Sequence, residues 1–346
     1  MKKSIASLEL AALVQEFQTL VNSKISQIYL VEDEFFFQLH KGEKIILRII
    51  PGKLINLTPD KKSSLHPSGF CLQLRKHLNN ACIRKIEQKG SERILIFEIE
   101  KEQTYKLVIE LFAPGNLILT NKNKTILAAY HQQRFKDRFI RPKEKYISPP
   151  ATLNWKEITE AKLKKIIKES TRKNLAATLA IDIGLGGLYA EEICKLSQVN
   201  KDQLPIETSS NEIKLLLKSL SGVLTQIKNP KGYIYSEQIT PFPLQEETPT
   251  QETRTYSGAL QTIKITQKIS PYEKKIAALK RIITEQEKSV KKQERSIEKS
   301  NQQAELIYEK YQPLQKLLNI IQQLKKTNAW PEIKKELQKE KKIKRI

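Results

Sequence analysis

The residues best suited to chemistry are the run Ile183-Gly184-Leu185-Gly186-Gly187-Leu188-Tyr189-Ala190-Glu191-Glu192-Ile193. With h for an apolar residue, it fits h-G-h-G-x-x-x-A-x-x-h, the pattern of a helix-hairpin-helix. Glycines allow a tight turn and a close backbone approach. The helix that follows then aims its free N–H groups at an anion, so Gly184, Gly186 and Gly187 are candidate phosphate contacts. Ala190 and Ile193 should pack on a preceding helix containing Leu175, Leu179 and Ile183. Such a hairpin grips a nucleic-acid backbone without reading bases. The competing reading is an ordinary helix connection with a glycine C-cap, and the acidic pair Glu191-Glu192 speaks for it.

A second group is the basic run Arg134, Lys136, Arg138, Arg141, Lys143 and Lys145, interleaved with Phe135, Phe139 and Tyr146. Cations among aromatics suit RNA, whose phosphates need charge and whose splayed bases need stacking partners. A solvated linker with a few core aromatics has the same composition. Arg75-Lys76-His77 lies on the exposed side of an expected helix. Glu92-Arg93 opens an expected strand after Gly90, either as an oriented RNA contact or as a surface pair of little energy.

Composition narrows the class. The 346 residues hold 61 Lys+Arg against 38 Asp+Glu, a formal charge of +23, which calls for a polyanionic partner. A hydrophobic share of 39% is enough to build a core. Cys71, Cys82 and Cys194 form no CxxC pair, and four scattered histidines give no HExxH. Disulfide frameworks, zinc ribbons and metal or nucleotide cofactors are therefore not expected. No carboxylate pair, G-x-S-x-G or Cys/His arrangement marks an enzyme. The N-terminal spacing Leu8, Ala12, Leu13, Phe17, Leu20 is that of an amphipathic helix rather than a signal peptide. No run approaches the ~18 apolar residues of a membrane span, so a cytoplasmic, membrane-free protein is expected.

These groups need elements to hold them. The fold class read from the pattern is α+β. Residues 1–150 read as one domain: a helix over 5–21, strands at Lys24–Leu30, Glu34–Leu39, Lys44–Ile49 and Leu54–Leu57, a helix over Pro67–Leu78, and further strands from Ile83 to Tyr130. Residues 151–227 read as helical and carry the hairpin. Residues 228–268 read as an irregular linker, with a strand pair at Gly232–Tyr235 and Ile239–Phe242 and a mobile loop over Gln245–Thr255.

Heptads begin after Pro271. The a positions are Ile276, Ile283, Val290, Ile297, Ala304, Tyr311 and Leu318, all apolar. The d positions are Leu279, Gln286, Gln293, Ser300, Ile307, Leu314 and Ile321, with a polar middle. Residues 269–328 thus read as one arm of a coiled coil, kinked or broken near Pro313, and residues 329–346 as a short basic tip helix from Pro331 to Lys344.

In this order, the segments resemble the NFACT family of ribosome quality-control and "fibronectin-binding" proteins, most nearly its archaeal members. The matching residues are Ser7-Leu8-Glu9-Leu10-Ala11-Ala12, Lys24-Ile25-Ser26-Gln27-Ile28-Tyr29, Phe70 to Leu78, Gly90-Ser91-Glu92-Arg93-Ile94, Glu110-Leu111-Phe112-Ala113-Pro114-Gly115-Asn116, Tyr146 to Pro150, and the hairpin Gly184 to Cys194. The resemblance implies an NFACT-N domain related in fold to formamidopyrimidine-type glycosylases, followed by a helix-hairpin-helix module and a coiled-coil arm. It implies binding to an obstructed large ribosomal subunit with peptidyl-tRNA, recruitment of tRNA, and template-free C-terminal tailing in which the ribosome makes the peptide bonds. The family usually has Asp at Glu9 and Asp-Arg at Glu92-Arg93, positions tied to tRNA handling. Both changes keep the charge and add one methylene.

The RNA-binding set expected from residues and resemblance together is Glu9, Arg75, Lys76, Glu92, Arg93, Arg134, Lys136, Arg138 and Arg141. Expected partners are the large ribosomal subunit, tRNA and rRNA. A separate chain carrying a return helix and an NFACT-R domain is expected too, with a homodimer as the alternative. Rival functions are an adhesin-like scaffold and a DNA-glycosylase-like binder. Base excision uses an N-terminal Pro-Glu, whereas this chain starts Met1-Lys2-Lys3.

Overall fold

A computed structural model describes residues 4–62, 67–150, 153–263, 271–326, 329, 330 and 333. Two compact units emerge, Met1–Ile265 and Thr266–Ile346. In the first, helix α1 (Ser7–Phe17) leads into β1 (Lys24–Val31), β2 (Glu34–Lys41), β3 (Glu43–Ile50) and β4 (Leu54–Thr58). Helix α2 (Gly69–Leu78) leads into β5 (Cys82–Gln88), β6 (Ile94–Glu100), β7 (Thr104–Glu110), β8 (Asn116–Asn121) and β9 (Ile126–Ala129). The strands form one antiparallel sheet in the order β4-β3-β2-β1-β5-β6-β7-β8-β9. A single residue pair, Lys24 with Cys82, joins β1 to β5. The two meanders meet face to face around a small internal void, Phe37, Leu39 and Leu47 on one side and Phe97, Ile99 and Leu107 on the other.

The halves repeat each other. The Asn22 N–H donates to the Ile83 carbonyl and the Asn80 N–H to the Ile25 carbonyl, both at 2.8 Å. Both asparagines take positive φ, 70° and 64°, a conformation Asn tolerates better than most residues. Both first strands bulge at the same place, between Ile25 and Gln27 and between Ile83 and Lys85. Leu20-Val21-Asn22-Ser23-Lys24-Ile25 and Leu78-Asn79-Asn80-Ala81-Cys82-Ile83 are the matching sequences. The helices are exchanged, α1 packing on β5 and α2 on β1. The far ends also cross closely. A Cβ on Gly115, at φ +84°, would lie 2.2 Å from the Gly52 nitrogen, so only glycine fits there.

The spacing along α1 implies one apolar face, but residues 7–14 are all buried. The second face is covered because the helical elements share the core of the sandwich. They are α3 (Glu160–Glu169), α4 (Leu175–Ala177) continuing as a π-helical turn over Thr178–Asp182, α5 (Gly187–Ser197) and α6 (Ser210–Gln226). Ser209 and Glu212 start α6 with reciprocal caps. Before them, the hairpin β10 (Gln133–Arg134) and β11 (Phe139–Ile140) closes a second apolar cluster of Ile94, Val108, Ile118, Ile126, Ile140 and Tyr146.

The expected strand pair near residue 232 is present as β12 (Gly232–Ile234) and β13 (Ile239–Thr240). Within the expected loop Gln245–Thr255, residues 251–253 are instead a strand, and a short helix follows directly. β14 (Gln251–Thr253) pairs with β12, and α7 (Tyr256–Ala259) buries Tyr256 completely. The Thr- and Glu-rich composition hid an anchor that lies outside it: Glu16 of α1 accepts the N–H groups of Tyr256 and Ser257.

In the second unit, α8 (Pro271–Glu309) and α9 (Tyr311–Leu324) are separated at Lys310, with φ −106° and ψ 23°. Pro313 cannot donate to the carbonyl one turn back and crowds it, which accounts for the break. Along α8, Ile276, Leu279, Ile283, Val290, Ile297 and Ile307 are each about half exposed or more. Most of the expected tip helix lies outside the described residues. Ile333 there is buried and its N–H donates to the Ala329 carbonyl.

Burial raises the Glu16 carboxyl to about 7 from 4.5, against the pull of the Ser257 and Tyr256 amides. The folded protein therefore holds a proton that the unfolded chain releases. This contribution to stability is full below about 4.5 and lost as pH rises through about 7. Its ceiling is ~3 kcal/mol. Denaturant midpoints of E16Q between pH 5 and 8 are expected to vary less with pH than those of the wild type.

Candidate nucleic-acid interface

The site is organised around the turn Lys89–Arg93 between β5 and β6. The Gln88 amide donates to the carbonyls of Ser7 at 3.0 Å and Glu92 at 2.9 Å. The Ser7 hydroxyl donates to the Ser91 carbonyl, and the Ser91 hydroxyl to the Leu153 carbonyl at 2.7 Å. The turn is thus stitched to the first residues of α1 and to Leu153, just before the helical elements.

Glu9 and Glu92-Arg93, distant in sequence, meet here. Arg93 is half-buried. Burial lowers its pKa, and the carboxylates of Glu92 and Glu9 pull it back up. Glu9 itself is only 2% exposed. One carboxylate oxygen accepts the Ala6 N–H at 2.7 Å and the other the Tyr189 hydroxyl at 2.5 Å. The burial and the Glu9 charge push the Tyr189 and Tyr256 hydroxyls well above their ordinary pKa, so both stay protonated donors. Glu9 therefore faces inward.

From the turn, positive charge continues towards the β10–β11 hairpin. Burial lowers the pKa of half-buried Lys89, the Glu92 charge raises it, and the charges of Lys124 and Arg138 lower it further. On the hairpin, Arg134, Lys136 and Arg141 are exposed. The Phe139 ring, 41% exposed, carries the Arg134 guanidinium at 4.9 Å and that of Arg141 at 5.8 Å. Arg141 also pairs with Glu144 at 2.8 Å. An exposed ring close to two planar cations brings aromatic surface and charge together.

Arg138 departs from the expectation that the whole run faces a ligand. It is 6% exposed and grips buried Glu110 through two bonds, of 2.5 and 3.2 Å. Tyr146 donates to the same carboxylate at 2.9 Å. A buried carboxylate needs such partners, so Arg138 is an internal anchor that fixes the hairpin.

Arg75 and Lys76 sit apart from the turn, on α2 and over β1. The Arg75 Nε donates to the Ile28 carbonyl at 2.8 Å, and its guanidinium lies 5.6 Å from the Tyr29 ring, which Lys61 covers at 4.3 Å. Lys76 is exposed.

At the glycine motif, Gly184 and Gly186 take φ of +85° and +83°, with open space around all three glycines. No side chain caps the start of α5. The acidic pair is occupied elsewhere: Glu191 pairs with Lys201 at 2.7 Å, and buried Glu192 accepts the Gln245 N–H at 2.8 Å. It does not crowd the first-turn amides.

Sequence reasoning missed Tyr189, Tyr256, Lys89 and Lys124. Tyr189 stood inside the hairpin pattern at an unspecified position, and a tyrosine on the packed face of a helix carries a hydroxyl that needs a buried acceptor. Among the described residues, no group of His, Cys, Asp and Glu could hold a metal ion, and no helix is long and apolar enough to cross a membrane.

Replacing Arg138 by Ala leaves Glu110 buried without its counter-charge and should cost about 3–5 kcal/mol in urea unfolding. Arg134→Ala, at the exposed end of the same hairpin, should stay within about 0.5 kcal/mol.

Residues 7–345 match the family profile "NFACT N-terminal and middle domains". The chain is 30% identical over 367 aligned positions to "Archaeal Rqc2 homolog aRqcH" of Methanocaldococcus jannaschii, covering 97% of this chain and 54% of that protein. It is 24% identical to human "Ribosome quality control complex subunit NEMF", over 74% of this chain and 25% of that one. It thus spans about half the length of the archaeal relative and a quarter of the human one. Among solved structures, the N-terminal part of the Streptococcus suis fibronectin/fibrinogen-binding protein superposes with a TM-score of 0.62 at 22% identity, covering 75% of this chain and 98% of that one. The profile match over nearly the whole chain and the archaeal relative both lead to one conclusion: this chain belongs to the NFACT family.

Proposed function

We propose that this chain is an RNA-binding ribosome quality-control factor, acting in the cytoplasm on obstructed large ribosomal subunits that still carry peptidyl-tRNA. In this reading it recruits tRNA for template-free tailing, positions RNA, and leaves peptide-bond chemistry to the ribosome. The supporting observation is the exposed Phe139 ring with the Arg134 and Arg141 guanidiniums beside it; Arg93 and Lys89 on the β5–β6 turn, with Lys124 acting on Lys89, add further cations. The Leu185 and Gly186 N–H groups of the hairpin donate to the Leu179 and Ala180 carbonyls, so the phosphate reading rests on the first-turn amides of α5, which no side chain caps. The relatives named for ribosome quality control favour RNA of the ribosome and its tRNAs as the polyanion. Arg75 and Lys76 would belong to a separate part of the footprint. The exposed stripe of α8 suits a partner helix, either on a separate chain that also carries an NFACT-R domain or in a second copy of this one.

Filter binding of a tRNA transcript at increasing salt is the test. Affinity should fall steeply, because each neutralised phosphate releases counterions. Arg93→Ala, Arg134→Ala and Arg141→Ala should each weaken binding and reduce the slope by about one. A flat titration would overturn the reading. Recovery of large subunits with the affinity-purified chain, absent for a triple Ala variant, tests the ribosomal part.

A further inference from the structure

Tyr189 is not part of the phosphate-facing surface, yet it ties two of that surface's elements together. It stands on the first turn of α5, directly after the glycine hairpin, and is 1% exposed. Its hydroxyl meets the Glu9 carboxylate at 2.5 Å. Glu9 lies two residues beyond Ser7, which holds Ser91 and receives the Gln88 amide. One tyrosine side chain and one turn of helix therefore connect the hairpin amides to the turn that carries Glu92 and Arg93. Apolar packing around it sets distance but little orientation. A buried, charge-assisted hydrogen bond is short and directional.

We propose that Tyr189 is a positioning residue whose bond to Glu9 fixes the glycine hairpin relative to the Lys89–Arg93 turn, so that a single folded RNA engages both. The inference rests on the RNA-binding reading above and adds that Glu9 acts through Tyr189, not by touching RNA. Each surface alone offers a few phosphate contacts. Held in register they act as a bivalent site, and a loosened register loses that advantage without removing either surface.

The full chain is assayed with two probes, a tRNA transcript and a short single-stranded oligonucleotide that can reach only one surface. Y189F removes one hydroxyl and keeps the ring, while E9Q retains an oxygen to accept the Ala6 N–H and an NH2 that can donate to the Tyr189 hydroxyl oxygen. Binding of Y189F and E9A to the transcript should weaken about tenfold, with a shallower salt dependence, while oligonucleotide binding stays at the wild-type level. E9Q should bind the transcript like the wild type. Wild-type behaviour of Y189F, or a loss in E9Q equal to that in E9A, would overturn the inference. Should the wild type show no salt-dependent RNA binding, the functional reading falls, and hydrogen exchange over Gly187–Ser197 judges the latch by itself. Faster exchange in Y189F upholds the latch; equal exchange refutes it.

Discussion

Burial of polar groups on α1 is the constraint from which the arrangement of the first unit follows. A helix with carboxyl groups on two sides can be covered only if each group meets a partner, because an unpaired buried polar group is costly. Glu9 meets Ala6 and Tyr189, and Glu16 meets the amides that open α7. Ser7 meets Ser91 and Gln88. Through these three residues α1 takes hold of the hairpin helix, the returning segment at residue 256 and the turn between β5 and β6. Sandwich, helical elements and the small sheet of β12 to β14 share one core around it.

The internal repeat gives this arrangement its geometry. Two helix-plus-meander units exchange helices, so α1 is held by the second meander and α2 by the first. The surroundings of the two helices then diverge. The α1 end meets the acidic and basic turn, whereas at the α2 end Phe35, Phe70 and Tyr130 form an aromatic cluster with ring centroids 4.9 to 5.8 Å apart. The two helices of the repeat thus meet different surroundings, an asymmetry that composition alone does not reveal.

Much of this fold was legible because its signals are local. Alternating apolar residues located the strands of both meanders, and the glycines at residues 184, 186 and 187 located the hairpin. Arg134, Phe139 and Arg141 could be grouped because they lie on one short hairpin. What stayed hidden depends on contacts between distant segments. Arg138 looks like its basic neighbours until the fold supplies Glu110, and Glu9 reads as a polar position until a helix arriving from Tyr189 covers it. The stretch from Gln245 to Thr255 reads as loop because its anchors, Glu16 and the edge of β12, lie elsewhere in the chain. The repeat was present in the sequence, in Leu20, Asn22, Ile25 and Ile28 against Leu78, Asn80, Ile83 and Ile86, but four matched residues are a faint signal without the paired bulges beside them.

The proposed RNA contacts are the Lys89–Arg93 turn and the β10–β11 hairpin. The most direct measurement is photo-crosslinking of a bound tRNA transcript followed by mass spectrometry of the linked peptides. Cross-links in the peptides spanning residues 89–93 and 133–141, lost together at high salt, are the predicted result. Cross-links confined to α8 and α9, with those two peptides untouched, would contradict it.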